Sequence, residues 1–165
     1  MVQTFLPFAD FARSARTLDT KRLGKQRVET LQVMRALTVE GYGWRNHPAA
    51  RMWEGHRPSL MAYQDATCDE WERRGFTDTC REKTLEVLAL PSTLFRRSLS
   101  LPAVDELRLY RAGETSPPSW LGREDVHASH RSNLVRKDPE HYMPLFPGTP
   151  PDLDYVWPVS GAEAR

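Results

Sequence analysis

Apolar residues recur at intervals of three and four along most of the chain, which is the spacing of one face of an α-helix. The clearest pattern predicts a helix that begins at Asp19 or Thr20, either of which can cap it, and runs to about Thr38. Gly41 and Gly43 follow it and favour an end to the helix. Its mainly apolar side is formed by Leu23, Arg27, Leu31 and Met34, with Val28 and Leu37 alongside.

The same pattern predicts further helices and no strands. A long helical stretch runs from Pro48 to Gly75, and Pro58 inside it predicts a break or kink near His56. Other helices are expected at 80–90 and 123–136, with a short one starting at 138–140. Four prolines in 91–120 favour loops and short helices there, and the proline- and aromatic-rich residues 146–159 are expected to lie extended across the helices. The fold class predicted is all-α, with one compact domain over residues 1–165.

Composition excludes several classes of protein. The chain has 165 residues, and no apolar run approaches the roughly 18 residues that cross a membrane. The beginning lacks the pattern of a signal peptide, so we expect a cytoplasmic protein, and a monomer. Cys68 and Cys80 make neither a disulfide framework nor a zinc site by themselves, and are best interpreted as buried thiols.

The charge is balanced overall but unevenly distributed. The chain holds 23 Lys and Arg against 22 Asp and Glu. Residues 13–57 contain ten bases and four acids, a net of +6, whereas residues 58–165 have a net of −4. Such a distribution is typical of a protein with one face toward a polyanion, although an arginine-rich solvated helix surface would give the same count.

The first segment with candidate chemistry is the start of the helix that follows Asp19. Lys21, Arg22, Lys25 and Arg27 lie within seven residues. Their mutual repulsion and the positive end of the helix dipole make this position unfavourable for bases, which indicates an anionic partner. The alternative is that Arg27 pairs with a carboxylate and that the lysines are simply solvated.

The second segment is a glycine-flanked loop that leads into a helix N-terminus. It contains Trp44, which could stack on an exposed base. It also contains Asn46 and His47, whose side chains could read a base edge or hold a substrate oxygen. Asn46 could equally be a helix cap, and Trp53 is expected in the core. The candidate DNA contacts here are Trp44, Arg45, Asn46, His47 and Arg51.

The third segment carries three histidines. His127 and His130 share a helix face, but their spacing is a weak metal signal, and no metal site is predicted. A buried polar network, or a phosphate clamp from His130, Arg131 and Lys137, is the favoured interpretation.

Four stretches together resemble a known family. They are Arg22-Leu-Gly-Lys-Gln-Arg27-Val-Glu, Gly43-Trp-Arg-Asn-His-Pro48, Arg51-Met-Trp-Glu-Gly55 and Glu72-Arg-Arg-Gly75-Phe. Over about residues 18–76 the chain resembles the pyrimidine-dimer DNA glycosylases, the phage-type endonuclease V of ultraviolet repair. The later half resembles only a bacterial branch of that family. The resemblance divides the domain into a family-like core, 1–76, and accessory helices with an extended tail, 77–165.

The resemblance implies an α-helical enzyme that needs neither metal nor cofactor and acts on duplex DNA with a damaged or modified base. Family members attack the sugar C1′ with the α-amine of the N-terminus, release the base through an imine, and cut the strand by β-elimination. That amine would belong to Val2 after removal of Met1, or to Met1 if it is retained. An α-amine has a reference pKa near 8, so a neutral fraction exists without deep burial.

One position departs from the family. Its catalytic glutamate directly follows the arginine that corresponds to Arg27, where this chain has Val28, and Glu29 comes one residue later. One residue turns a helical side chain by about 100°. Either Glu29 or Asp19 supplies the carboxylate from another angle, or the activity is altered or lost. The candidate catalytic residues are Val2, Glu29, Arg27, as a phosphate or abasic-site contact, and Lys25, as an alternative amine.

Two other functions remain open from the sequence. One is a non-catalytic module that binds damaged or branched nucleic acid. The other is an enzyme that acts on a modified nucleoside through a site at His127, His130, Arg131 and His141.

Overall fold

The computed structural model describes residues 2–91 and 105–158, and within them every regular element is a helix, which confirms the all-α prediction. The long helices lie close to where periodicity predicts them. In chain order the helices are α1 (Phe11–Thr17), α2 (Thr20–Thr38), α3 (Pro48–Arg51), α4 (Arg57–Arg73), α5 (Cys80–Ala89), α6 (Glu106–Arg111), α7 (Glu124–Lys137) and α8 (Pro139–Tyr142).

The predicted helix boundaries have clear physical causes. Asp19 caps α2 by accepting a hydrogen bond from the Arg22 backbone N–H at 3.2 Å. The predicted break near His56 separates α3 from α4, and Pro58 lies in the first turn of α4, where its missing N–H costs nothing. Helix α1 was not expected from the pattern. Residues 92–104 and Val159, which belong to the predicted loop region and tail, lie outside the described residues.

The core forms where α2, α4 and α5 pack together, with α1 crossing α4. Trp53, Tyr63 and Met34 are fully buried there, as expected for Trp53. Cys68 and Cys80 are buried free thiols, which agrees with their predicted state. Val28 is the exception to the predicted apolar side, because 44% of it is exposed.

The first residues of the chain, 2–10, form an N-terminal segment whose leading part is buried without regular structure. Residues 2–6 are all buried. A buried backbone must still satisfy its hydrogen-bonding groups, and here side chains of the helices do so. The Gln26 side chain accepts from Phe5 N at 2.9 Å and donates to Gln3 O at 2.7 Å, while the Tyr63 hydroxyl donates to Phe5 O at 2.6 Å.

Helix α7 holds the next part of the N-terminal segment. The His130 Nδ1 accepts a hydrogen bond from Leu6 N at 2.9 Å, and the His127 Nδ1 donates to Leu6 O at 2.8 Å. Arg131 donates to Pro7 O at 2.8 Å. Because these contacts span more than 120 residues of sequence, α7 fixes where the beginning of the chain lies.

The C-terminal segment, residues 147–158, runs across α7 without helical structure, as the sequence predicts for the part that is described. Ser132 Oγ accepts from Leu153 N at 3.0 Å, and Ser129 Oγ accepts from Val156 N at 3.1 Å. Across the described residues, no helix has both the length and the apolar character needed to cross a membrane.

Candidate active-site cleft

A cleft of about 310 Å³ opens between the N-terminal segment, the first turns of α2, the end of α7 and the C-terminal segment. Five of the predicted site residues meet there: Lys21, Arg22, Lys25, Glu29 and Lys137. Three further residues complete the lining and were not predicted as site residues: Gln3, Phe5 and Tyr155. The cleft therefore joins residues from both ends of the chain.

Glu29 connects α2 to the N-terminal segment inside this cleft. Its Oε2 accepts a hydrogen bond from Gln3 N at 3.2 Å, and its Oε1 lies 3.5 Å from the Lys25 Nζ. Only 10% of the Glu29 side chain is exposed. Burial raises the pKa of Glu29, while the Gln3 amide, Lys25 and the positive amino terminus oppose that rise.

Val2 directly precedes the residue that Glu29 contacts. Its side chain belongs to the hydrophobic core, and 1% of the residue is exposed. Consecutive Cα atoms in a trans peptide chain are about 3.8 Å apart, so Val2 lies next to the residue whose backbone N–H donates to Glu29. Met1, the other candidate for the amine, lies outside the described residues.

Four bases form one edge of the cleft, which we call the basic rim: Lys21, Arg22, Lys25 and Lys137. The three lysines are exposed, and Arg22 is held by Asp19 at 3.1 Å. Lys137 is the last residue of α7, so two elements distant in sequence contribute to one positive surface. Clustered exposed cations of this kind favour phosphate groups.

Arg27 does not reach the cleft, although it was predicted as a catalytic contact. Its guanidinium pairs with Asp78 and lies 4.2 Å from the centre of the Trp71 ring, and 11% of its side chain is exposed. Two residues along α2 turn a side chain by about 200° relative to Glu29, which places Arg27 on another side of the helix. Arg27 thus pairs with a carboxylate, which was the alternative prediction for this residue.

His130 is buried rather than on a DNA-binding surface. It is 0% exposed, and burial lowers its pKa to about 3, with His127 adding to the effect. The Gly122 N–H donates to His127 Nε2, so His127 Nδ1 carries the proton that it donates to Leu6 O. These two histidines lie in a buried polar network, as the sequence predicts. Their hydrogen bonds to the backbone hold the N-terminal segment.

The remaining residues of the third segment lie apart from the two buried histidines. His141 is exposed and donates to Thr17 O at 2.9 Å, and Arg131 pairs with Glu124. The three histidines therefore differ in their surroundings, since His127 and His130 are buried against Leu6 whereas His141 is exposed beside Thr17. No group of three or more potential metal ligands occurs in residues 2–91 and 105–158.

The glycine-flanked loop joins the C-terminal segment through a row of aromatic contacts. The ring centres of Trp44 and His47 are 5.5 Å apart, those of His47 and Trp157 are 5.7 Å apart, and those of Trp157 and Tyr155 are 5.2 Å apart. This row ends at the cleft, because Tyr155 lines it. Trp44 and His47 are thus connected to the cleft without lining it.

His47, rather than Asn46, caps the helix that follows the loop. Its Nδ1 accepts from Ala49 N at 3.0 Å. Burial lowers the pKa of His47, and the positive amino terminus lowers it further. Arg45, Asn46 and Arg51 are exposed on the surface and remain candidate contacts for a large ligand.

A second and larger cavity, of about 580 Å³, lies between α1 and α4. Its charged lining combines Asp10, Asp65, Asp69 and Glu70 with only two arginines, Arg16 and Arg73. An excess of carboxylates repels phosphate, whereas the smaller cleft has four bases and one acid. The charge distribution therefore favours the smaller cleft as the site for an anionic ligand.

Comparison with known proteins gives a family match. The family model described as pyrimidine dimer DNA glycosylase matches residues 2–84, half of the chain, a range that includes Val2, Glu29 and three residues of the basic rim. No curated protein and no solved structure matches the chain.

Proposed function

We propose a DNA-repair reaction for this cleft, because the chain belongs to the pyrimidine dimer DNA glycosylase family. The protein breaks the glycosidic bond of a damaged base, such as one base of a pyrimidine dimer, in duplex DNA and then cleaves the strand at the resulting abasic site. The observation that carries this proposal is the hydrogen bond between Glu29 and the Gln3 amide inside a cleft edged by four bases.

The nucleophile in this proposal is the α-amine of Val2, formed by removal of Met1. Its neutral nitrogen forms a bond to the sugar C1′, and the bond between C1′ and the base breaks, so that the base leaves with the electron pair and takes up a proton. The sugar ring then opens as O4′ leaves C1′ and is protonated, which produces an imine. Loss of a C2′ proton breaks the bond from C3′ to the phosphate oxygen, and water releases the enzyme.

In this proposal Glu29 is the group that assists these steps. As a carboxylate it stabilises positive charge that develops at the sugar, and it can accept the proton that leaves the amine or C2′. Although Glu29 lies one position beyond the family's glutamate, its contact with Gln3 supports its use in that role. Lys25 is exposed and paired with Glu29, which suits a phosphate contact better than a nucleophile.

The basic rim in this proposal binds the DNA backbone. Lys21, Arg22, Lys25 and Lys137 would contact phosphates on the two sides of the lesion. The damaged nucleotide must leave the base stack before its C1′ can meet the amine. Trp44, at the far end of the aromatic row, is available to stack on a base exposed by that movement.

Borohydride trapping tests the amine mechanism. The wild-type protein is expected to form a covalent adduct with a duplex that contains an abasic site, and with one that contains a pyrimidine dimer. Glu29→Gln should lower the rate of adduct formation by about 100-fold or more, a size typical of the loss of a general acid–base group. An acetylated N-terminus should abolish the adduct, because the α-amine can then no longer form an imine.

Glu82→Gln serves as the matched control, since Glu82 is exposed on α5 and does not line the cleft. Its rate should equal that of the wild type. Absence of an adduct on both substrates, or an adduct that survives acetylation, would contradict the mechanism. Binding of damaged DNA with no base release would instead favour a non-catalytic module.

A further inference from the structure

An exposed pair of aromatic residues lies outside the cleft, where α4 ends. The rings of Trp71 and Phe76 stack with their centres 4.3 Å apart. Phe76 is 42% exposed although one face of its ring lies on Trp71, so the opposite face is open to solvent. The proposed repair reaction gives neither residue a role.

Arg27 extends this pair into a stack of three flat groups, which we call the aromatic stack. The Arg27 guanidinium carbon lies 4.2 Å from the centre of the Trp71 ring, and the group is fixed by its ion pair with Asp78. Two flat groups this close to one ring centre need opposite faces of the ring, so the indole lies between Arg27 and Phe76. The Trp71 Nε1 also donates to Thr77 O at 3.1 Å, which fixes the plane of the indole.

The turn that ends α4 fixes Phe76 over Trp71. The Gly75 N–H donates to Glu72 O at 2.9 Å, and the Phe76 N–H donates to Trp71 O at 3.3 Å. This is the Schellman motif, whose glycine needs a positive φ, here +95°, and which brings an apolar residue back onto the last turn of the helix. The Phe76 ring is therefore held in place before any ligand arrives, which lowers the entropic cost of binding.

The aromatic stack adjoins the basic rim across α2. Trp71 packs against Gly24, because the position of a Cβ there would lie 3.0 Å from the ring. On the surface of α2 the exposed Lys21 lies between Glu29, which faces the cleft, and Gly24, which faces the stack. A DNA strand whose phosphates lie on the rim therefore passes within about 10 Å, the width of one helix, of the stack.

The charges beside the stack also favour a polyanion. The two acids of the turn are paired, Asp78 with Arg27, and Glu72 with Arg81 at 3.1 Å. Lys21 is exposed on the neighbouring surface of α2. An exposed aromatic ring next to free cations is the combination that binds single-stranded nucleic acid, because the cations hold phosphates and the ring accepts the face of any base.

We propose that Phe76, supported by Trp71 and Arg27, is a stacking platform for an unpaired base of a single DNA strand that lies along the basic rim. This inference goes beyond the glycosylase function, since the platform lies outside the cleft and needs no damaged base.

Two single-stranded oligomers test the platform. One is a thymidine oligomer of about ten residues, and the other has the same length and phosphates but tetrahydrofuran units, which carry no base, in place of the thymidines. The wild type should bind the first about ten-fold more tightly in fluorescence anisotropy, the effect of stacking one base. Phe76→Ala should lose this preference and bind the base-free oligomer with wild-type affinity, because its phosphate contacts remain.

The variants at Phe76 separate stacking from simple apolar contact. Phe76→Tyr keeps a flat ring and should keep the preference, whereas Phe76→Leu keeps apolar bulk and should lose it. Leu90→Ala is the control, because Leu90 is 52% exposed at the far end of α5 and should not contact the strand. Equal binding of the two oligomers by the wild type, or a full preference in Phe76→Ala, would overturn the proposal.

The ring resonances of Phe76 show where the base stacks. They should move to higher field when the thymidine oligomer is added, and should not move with the base-free oligomer. If they do not move although the affinity depends on the bases, stacking occurs elsewhere, for instance on Trp44, and the platform is wrong. Neither oligomer contains a lesion or a reactive aldehyde, so the result is independent of whether the protein is a glycosylase.

Discussion

At the scale of single residues, His130 supports the backbone that leads to the proposed nucleophile. Its Nδ1 accepts the Leu6 N–H, and this is possible only while that nitrogen carries no proton. Burial lowers the pKa of His130 to about 3, so the ring remains neutral in the folded protein far below the ordinary value of about 6.5. Protonation would both charge a buried ring and remove this contact.

This arrangement predicts how stability depends on pH. Below about pH 6.5 the unfolded state binds a proton at His130 that the folded state does not bind. The free energy of unfolding should therefore fall as the pH falls from about 6.5 to about 3, by up to about 1.4 kcal/mol per pH unit from this group. Above pH 6.5 His130 should contribute no pH dependence.

Chemical unfolding of His130→Asn across this pH range checks the expectation. Asn places an acceptor oxygen close to the position of Nδ1 but does not titrate, so its stability should depend less steeply on pH than that of the wild type. His141→Asn removes a histidine from the surface and should leave the steep dependence in place. Identical pH profiles for wild type and His130→Asn would show that the buried ring is not responsible.

At the scale of elements, α2 supports two different surfaces. Lys21, Lys25 and Glu29 face the cleft, while Gly24 faces α4. A Cβ on Gly24 would lie 3.0 Å from two carbons of the Trp71 ring. That ring stacks on Phe76, with ring centres 4.3 Å apart, and donates to Thr77 O, so it has little freedom to move.

Gly24→Ala should therefore destabilise the protein even though alanine is the better helix former. Overpacking costs about 1–3 kcal/mol, whereas the gain in helix propensity is about 1 kcal/mol. We expect a net loss of about 1 kcal/mol in the free energy of unfolding, measured by denaturant titration. In a Trp71→Leu background the same substitution should become stabilising, and a loss of equal size in both backgrounds would exclude the Trp71 contact as the cause.

Sequence patterns were sufficient for α2 and insufficient for the N-terminal segment. The cap at Asp19, the end at Thr38 and the bases of the first turns are local features, and local features predict them. The buried backbone of residues 2–6 is satisfied by side chains as distant as His130, and such contacts leave no periodic pattern in either partner. One further signal was Gln26, a polar residue on the buried side of α2, whose amide bonds to that backbone.

The same reasoning explains which site residues were predicted. The lysines of α2 were predicted because bases are unfavourable at the start of a helix, and Glu29 because it lies one residue beyond the position of the family's catalytic glutamate. Tyr155 carries no such signal, because an aromatic residue in a proline-rich stretch is equally typical of simple packing. Only the path of the C-terminal segment over α7 brings it to the cleft.

At the scale of the whole molecule, a net charge of +1 conceals two opposed surfaces. The basic rim borders the cleft, and four carboxylates with two arginines line the groove between α1 and α4. A protein with this distribution attracts DNA in one orientation and has little general affinity for it. The affinity should then depend on salt through the few phosphates that the rim contacts.

The salt dependence of binding provides a count of those phosphates. The slope of log K against log salt is about −0.9 for each phosphate contact on duplex DNA. Lys21→Ala on α2 and Lys137→Ala on α7 should each make the slope less negative by about 0.9, and the double variant by about 1.8, because the two act as members of one surface. Lys83→Ala, at an exposed base of α5 away from the cleft, should leave the slope unchanged. Fluorescence anisotropy with a dimer-containing duplex at several salt concentrations measures the wild type and all four variants. If Lys137→Ala binds with the wild-type slope, the end of α7 does not meet the DNA and the proposed path of the strand across the cleft is wrong.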